Sequence, residues 1–221
     1  FSIDFEAERV SDYLGQERDA PFFMYYNISP PHMPLADAPE KYLRMYDPDE
    51  VPLRPNTLVN GKLAYDENWF KIYMWDFLYY QQHLPHTEKL PREFDLRHLT
   101  ALYYGLTTWV DDTVGRLMAN LKANGLADNT LVVFASDHGD NLGSHHAFNK
   151  GRLIEESIRV PMVFWGGLTP QANTAQVAQL IDIMPSLLDQ CGTEIPNSVQ
   201  GRTLGPILRN ERESLDENCA F

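Results

Sequence analysis

The chain has 221 residues, of which 31 are acidic and 18 are basic, so its formal net charge is -13 and its pI is about 4.8. Hydrophobic residues make up 43% and charged residues 22%, which is ordinary globular composition and excludes a disordered chain. The excess of carboxylates argues against a nucleic-acid-binding protein, which needs a basic face to neutralise phosphates. No apolar run approaches the roughly 20 residues that span a bilayer, so no transmembrane segment is predicted.

The first part of the chain predicts a helix and then a buried strand. Residues 4–14 have apolar residues at helical spacing, with Ser2 or Asp4 as the N-cap. A continuous apolar and aromatic run over 22–28 has the length of a buried strand. A Pro-Pro pair ends this run, so we expect His32 just beyond the carboxyl end of the strand.

Residues 56–91 form an unusually aromatic segment, with Trp69, Tyr73 and Phe77 on one helical face. Two interpretations remain open. The segment is either a helix that packs on the core or an insertion that lines a substrate cleft, where aromatic rings stack on sugar or aryl groups.

The middle of the chain predicts one long amphipathic helix over 93–124, or two helices joined near Gly105. Gly125 follows as a left-handed C-terminal cap. Strands are predicted over 130–136 and 160–165, in the helix–turn–strand order of an α/β unit. A further helix over 177–188 is expected to be bounded or broken at its proline.

The candidate chemistry begins directly after the strand over 130–136, in the run Asp137-His138-Gly139-Asp140. In open α/β sheets, reacting groups gather at the carboxyl ends of strands. An adjacent carboxylate and imidazole can reach one cation, and Gly139 lets the backbone turn sharply between them and the next residues. Taken alone, the run is a weak signal, and a turn with a capping Asp and a hydrogen-bonded His explains it better.

The surrounding sequence resembles the sulfatase family of the alkaline phosphatase superfamily. The run FASDHGDNLGSHHAFNKGRLIEESIRVPMVFW resembles the C-terminal half of a sulfatase, and YYNISPPHMP resembles the sulfatase strand that ends in a Pro-His-x-Pro loop. GLTTWVDDTVGRLMANLKANGLADNT, LIDIMPSLLDQCGTEIP and GRTLGPIL resemble the segments around the metal-binding strand. The resemblance extends in order from about Asp4 to Leu208, interrupted mainly by residues 56–91.

The resemblance implies a fold and a domain assignment. The expected fold class is α/β, an alkaline-phosphatase-like sandwich with a largely parallel or mixed central sheet flanked by helices. Residues 1–221 would be a partial catalytic domain with an insertion-like aromatic segment over 56–91. The N-terminal part and the small C-terminal subdomain of sulfatases would be absent.

The resemblance also implies roles for five residues. Asp137 and His138 match the metal-binding pair, with Ca²⁺ expected from the carboxylate and Mn²⁺, Mg²⁺ or Zn²⁺ left open by the imidazole. Lys150 matches the lysine that contacts the sulfate and offsets charge on the leaving oxygen. His32 matches a sulfate contact that is also a candidate proton donor to the leaving group. His145 lies where some members have a substrate-binding histidine, with a surface histidine as the alternative.

Neighbouring polar residues are expected to be structural. They are Asp140, His146 and Glu156, and Glu156 is expected to pair with Arg159 near the entrance of the following strand.

One departure from the family is large. Sulfatases make a formylglycine nucleophile from the first residue of a Cys/Ser-x-Pro-x-Arg motif, and this sequence contains no such motif. Neither Cys191 nor Cys219 is followed by the required Pro and Arg, and whether the two cysteines are oxidised stays open. Asp111-Asp112 does not replace the upstream metal-binding pair, because it lies within the long helix. We therefore expect a fragment that is inactive by itself.

The sequence thus predicts a sulfuric ester hydrolase as the parent protein, acting on an anionic sulfated small molecule or saccharide. One alternative is a phosphodiesterase or phosphonate monoester hydrolase of the same superfamily. A second is a non-catalytic sulfatase-like binding protein. The resemblance predicts a periplasmic or secreted location.

Overall fold

The computed structural model describes residues 2–63, 95–166, 174–216 and 218–220. Two units divide the chain between them. The first unit comprises Phe1–Asn124 and Asp140–Ser157, and the second unit comprises Gly125–Gly139 and Ile158–Phe221. The assignment of residues 1–221 to one partial domain stays a prediction.

Helices dominate the first unit. Helix α1 is Ile3–Leu14, α2 is Glu40–Leu43 and α3 is Leu96–Ala123. The hydroxyl of Ser2 accepts a hydrogen bond from a first-turn amide of α1, as the N-cap prediction requires. Helix α3 has 28 residues and passes through Gly105 without a break, so the single-helix alternative is correct.

The core of the first unit lies where α1 and α2 pack on α3. The predicted apolar stripe of α3 is buried at Leu96, Leu99, Leu102 and Leu106. Its largest buried ring is that of Trp109. This ring stacks on Tyr42 of α2 at a centroid distance of 5.9 Å, and its indole N–H donates to a carboxylate of α1 at 3.2 Å.

The segment over 56–91 begins with a tight hairpin rather than a helix. Strand β1 is Leu58–Val59 and β2 is Lys62–Leu63, and they pair antiparallel. Asn60 and Gly61 connect them with φ values of 50° and 76°, as expected for an Asn-Gly hairpin turn. Residues 64–94 lie outside the described residues. The aromatic helical face lies there too, so both interpretations of it stay predictions.

The strand predicted over 22–28 is not formed among the described residues. The segment is extended, but Phe23 and Tyr25 are each 81% exposed. A strand needs a neighbouring backbone to bond with and a layer to cover its apolar face. Within the described ranges no backbone provides either, so the prediction of a buried strand is wrong for this structure.

The second unit contains the strand pair that leads into the Asp-His motif. Strand β3 is Val132–Ala135 and β4 is Met162–Trp165, and they pair antiparallel with Ala135 opposite Met162. The helix α4, Glu155–Ile158, precedes β4 at the division between the units. Both strand predictions are confirmed with shorter bounds, and the strand pairs that the described residues form are antiparallel.

The remainder of the second unit is organised around a buried carboxylate. Helix α5 is Ile183–Gln190 and α6 is Gly205–Leu208. Asp182, 1% exposed, accepts from the backbone amides of Gln179 at 2.9 Å and Arg202 at 3.0 Å. The predicted boundary at Pro185 is confirmed, because this residue lies in the first turn of α5. An N–H group there has no acceptor within the helix, so proline costs no helical hydrogen bond.

Short 3-10 turns complete the described elements; they are Leu35–Asp37, Pro48–Glu50, Pro55–Thr57, Ala127–Asn129, Ser144–His146 and Leu180–Asp182. No helix in the described ranges is long and apolar enough to cross a membrane.

Candidate active site

The Asp-His pair lies on the turn that follows β3 in the second unit. The Asp137 carboxylate accepts from the backbone amide of His138 at 2.9 Å, and its other oxygen lies 3.4 Å from His138 Nε2. The hydroxyl of Ser136 donates to the carbonyl of His138 at 2.7 Å and fixes the turn. The Asp137 side chain is 83% exposed, so the carboxylate is accessible.

This geometry suits two ligands of one cation. The Nδ1 atom of His138 lies 2.9 Å from the carbonyl of Gly139, which can only accept a hydrogen bond. Nδ1 therefore carries a proton, and in the neutral ring Nε2 has the lone pair that a cation held together with the Asp137 oxygen would bind. Two ligands do not complete a site, and the described residues contain no group of three or more His, Cys, Asp or Glu that could hold a metal.

The loop after the Asp-His pair has a strained backbone. Four residues of the loop lie in the left-handed backbone region, which residues with a Cβ seldom adopt. They are Leu142, His145, His146 and Asn149, with φ values of 42°, 51°, 59° and 64°. Each such residue costs on the order of 1–2 kcal/mol, so contacts elsewhere must hold this conformation. Strain of this kind is concentrated at functional sites.

Buried polar contacts hold the strained loop in the first unit. Asn141 is fully buried; its backbone amide donates to the carbonyl of Asn149 at 2.8 Å and its side-chain oxygen accepts from Ser157 at 2.9 Å. Gly143 has φ of 85° and lies against Leu96, and a Cβ there would come within 2.6 Å of a leucine methyl. These contacts stabilise the left-handed backbone of the loop.

Lys150 lies at the end of this loop. Its ammonium forms no hydrogen bond or ion pair with any residue in the described part of the chain. In a chain of formal charge -13, a cation without a carboxylate partner is available to an anionic ligand.

His32 lies on a separate exposed loop of the first unit. Its Nδ1 lies 2.9 Å from the carbonyl of Met33. The carbonyl can only accept, so Nδ1 carries a proton and Nε2 is the ring atom left for a ligand.

Glu156 at the start of α4 joins the loop to the segment before β1. Asn56 donates to its carboxylate at 3.0 Å and Arg54 lies 4.0 Å from the same oxygen, whereas the expected pairing with Arg159 is wrong. The Asn56 bond is the main cause that lowers the pKa of the Glu156 carboxyl to about 2, helped by a backbone hydrogen bond and Ser144. The carboxylate is therefore ionised at neutral pH.

The same segment contacts His145. The side-chain nitrogen of Asn56 lies 3.2 Å from His145 Nε2, and Arg54 donates to the buried hydroxyl of Ser144 at 3.0 Å. Reasoning from the sequence missed Asn56 and Arg54. Both are at least 87 positions away from their partners in the loop, and no local motif marks them.

The structure divides the predicted site residues between the two units. Lys150 and His145 share the strained loop of the first unit, which also contains His32 on another loop. Asp137 and His138 are adjacent in the second unit. The expected structural role of Asp140 fits its bond from the amide of Leu142 at 2.9 Å.

Comparison with known proteins identifies the family. The family model for Sulfatase matches residues 4–193, which is most of the chain. The chain belongs to the sulfatase family. This confirms the resemblance carried by the motifs around Asp137 and Lys150.

Two relatives share this region of sequence. A multifunctional alkaline phosphatase superfamily protein, PehA, of Trinickia caryophylli is 33% identical over 95% of this chain and 42% of its own length. An ulvan-active sulfatase of Formosa agariphila is 32% identical over 96% of this chain and 38% of its own length. The chain thus spans about two-fifths of the length of these curated relatives.

A solved structure confirms the fold class. The phosphonate monoester hydrolase of Silicibacter pomeroyi superposes with a TM-score of 0.73 and is 30% identical, over 93% of this chain and 41% of its own. The fold is therefore alkaline-phosphatase-like α/β, and a small sheet with helices is consistent with part of such a domain. Members of this superfamily generally use a divalent metal, and the family is one of sulfuric ester hydrolases.

Proposed function

We propose that this chain is part of a sulfatase domain that hydrolyses a sulfate ester, with a formylglycine nucleophile supplied by residues outside this sequence. The observation that carries the proposal is the sulfatase match over 4–193, which includes every predicted site residue. The lack of a Cys/Ser-x-Pro-x-Arg motif supports a nucleophile supplied by residues outside this sequence. We use "complete domain" for this chain joined to the part that bears the nucleophile.

Asp137 and His138 would hold a divalent cation. Ca²⁺ is the ion we favour, because it fits the carboxylate, and the imidazole leaves Mn²⁺, Mg²⁺ or Zn²⁺ open. When bound, the cation would supply Lewis-acid stabilisation of charge on the sulfate oxygens. The bond from His138 Nδ1 to Gly139 would select the neutral tautomer whose Nε2 lone pair can bind the cation.

Lys150 and His145 would bind the sulfate group. The Lys150 ammonium, without a partner among the described residues, would pair with a sulfate oxygen and offset the charge that develops on the leaving oxygen. His145 would add a hydrogen bond to the same anion. The strained loop would hold both groups in place before the substrate arrives.

His32 would act as the proton donor to the leaving group. In its protonated form, Nδ1–H is bound to the Met33 carbonyl and Nε2–H is left to protonate the departing alcohol. One oxygen of the formylglycine hydrate would form a bond to sulfur while the bond from sulfur to the ester oxygen breaks. The resulting hemiacetal would then expel sulfate and restore the aldehyde.

A sulfated carbohydrate is the substrate class we favour. One relative is an ulvan-active sulfatase, and the sequence over 39–56 after the Pro-Pro-His loop resembles sulfatases that act on carbohydrates. A periplasmic or secreted location fits such a substrate and stays a prediction.

Phosphonate monoester hydrolysis is the second candidate, because a hydrolase of that kind superposes on 93% of the chain. We expect the complete domain to hydrolyse 4-nitrophenyl sulfate with a kcat/KM at least about tenfold higher than that for 4-nitrophenyl phenylphosphonate, a difference of about 1.4 kcal/mol in transition-state binding. Steady-state rates for the two esters at one metal concentration measure this ratio. A ratio in favour of the phosphonate ester would support the second candidate. Binding of sulfate without turnover of either ester would support a non-catalytic protein.

A further inference from the structure

The contact between Asn56 and His145 decides which nitrogen of the imidazole carries a hydrogen. The Asn56 side-chain nitrogen has two N–H groups, one within reach of Glu156 Oε1 at 3.0 Å and one within reach of His145 Nε2 at 3.2 Å. An N–H group can only donate, so Nε2 must accept.

Glu156 fixes the direction of the Asn56 amide. Its carboxylate, whose pKa is lowered to about 2, is ionised and can only accept hydrogen bonds. A reversed amide would place the Asn56 oxygen against this carboxylate and lose the charge-assisted bond. The amide keeps its orientation although its buried oxygen finds no partner among the described residues.

Arg54 secures the carboxylate from the other side. It lies 4.0 Å from Glu156 Oε1 and donates to the hydroxyl of Ser144, the residue before His145. The backbone of His145 is held in the left-handed region with φ of 51°. The ring is therefore constrained both by its backbone and at Nε2.

We propose that Asn56, oriented by Glu156, is a positioning residue that holds His145 as the neutral tautomer with hydrogen on Nδ1, leaving that N–H to donate to a sulfate oxygen. The donation to a sulfate oxygen rests on the proposed function, whereas the assignment of the tautomer does not.

Two other histidines with predicted roles have the opposite arrangement. His32 and His138 each direct Nδ1–H to a backbone carbonyl at 2.9 Å, so their outward atom is Nε2. His145 is bound at Nε2, and its Nδ1 forms no hydrogen bond with a described residue. A sulfate oxygen can only accept, so the neutral His145 ring can donate to it from Nδ1–H, whereas His32 must be protonated before its Nε2 can donate.

The test is an imidazole ¹H–¹⁵N correlation spectrum of the 221-residue chain at about pH 8, where an ordinary imidazole is neutral. We compare the wild type with the double variant Asn56→Asp/Glu156→Gln. This exchange keeps size and net charge but reverses the hydrogen bonds, because the carboxylate introduced at position 56 can only accept from its neighbours. We expect His145 to change from hydrogen on Nδ1 in the wild type to hydrogen on Nε2 in the double variant.

His98 provides the internal reference, since its Nδ1 faces Asp95 at 2.8 Å and its tautomer should be the same in both proteins. Asn56→Ala is a second variant, which should leave His145 as a mixture of tautomers even if the double variant does not fold. A wild-type His145 with hydrogen on Nε2, or a tautomer unaffected by every variant that folds, would overturn the positioning role.

Inorganic sulfate tests the ligand clause separately. With chloride at matched ionic strength as the control, sulfate should shift the His145 signals, and the double variant should bind sulfate about tenfold more weakly. If the tautomer switches but sulfate shifts no signal, the donation to a sulfate oxygen is overturned. The tautomer assignment is then still supported.

Discussion

Replacing Lys150 by alanine is expected to lower kcat/KM of the complete domain for 4-nitrophenyl sulfate by about 10²- to 10³-fold. The ammonium forms no ion pair in the described part of the chain, so the substitution leaves no carboxylate without its partner. The loss should therefore appear in transition-state stabilisation and not in folding. Steady-state kinetics and a thermal unfolding curve of the same preparation measure the two effects.

Lys122→Ala is the matched control. This lysine lies exposed in the last turn of α3 and has no place in the proposed site. Its removal changes the net charge by the same amount, so it accounts for any general electrostatic effect on an anionic substrate. Equal activities of the Lys150→Ala and Lys122→Ala proteins would contradict the role assigned to Lys150.

Replacing Gly105 by alanine is expected to destabilise the first unit by about 2–4 kcal/mol. The new Cβ would lie 2.1 Å from the carbonyl oxygen of Tyr42, which is backbone and has no side-chain freedom to move away. Relief requires α2 to separate from α3 and disturbs the stacking of Tyr42 on Trp109. Urea unfolding followed by far-ultraviolet circular dichroism measures the change.

Gly115→Ala in the same helix should raise the stability of the first unit instead of lowering it. Nothing lies within 4 Å of the position of its Cβ, so alanine adds helix propensity without a clash. We expect a gain of about 0.5–1 kcal/mol. A loss of stability at position 115 as large as that at position 105 would show that propensity or the unfolded state, and not the contact with Tyr42, explains the effect.

Local patterns were sufficient to predict most helices. The Ser2 cap, the apolar stripe of α3 and the proline in the first turn of α5 act within a few residues of where they occur, and the structure contains all three. The hairpin at Asn60-Gly61 was missed, although Asn-Gly between apolar residues is a strong local signal for a tight turn.

Features that depend on contacts between distant parts of the chain could not be predicted from local patterns. A strand forms only with a neighbour, and the apolar run over 22–28 carries no information about which backbone would bond to it. The motif residues Asp137, His138 and Lys150 could be found from sequence because the family pattern marks them. Asn56 and Arg54 could not, since their roles depend on contacts with a loop about 90 residues away.

The charge balance fits this view of the site. A net charge of -13 repels anions in general, so binding of a sulfate ester must depend on local groups. Lys150 is a cation without a carboxylate in contact among the described residues, and the Glu156 carboxylate is already bound by Asn56 and Arg54. Positive charge is thereby preserved at the end of the strained loop.

The proposed division of the site between this chain and a separate nucleophile segment is tested most directly by one assay. It measures hydrolysis of 4-nitrophenyl sulfate by the 221-residue chain and by the complete domain, each with and without EDTA. We expect turnover by the complete domain only, and we expect EDTA to abolish it. Metal-dependent turnover by the 221-residue chain alone, or a complete domain with no turnover of this ester or a sulfated sugar, would contradict the proposed function.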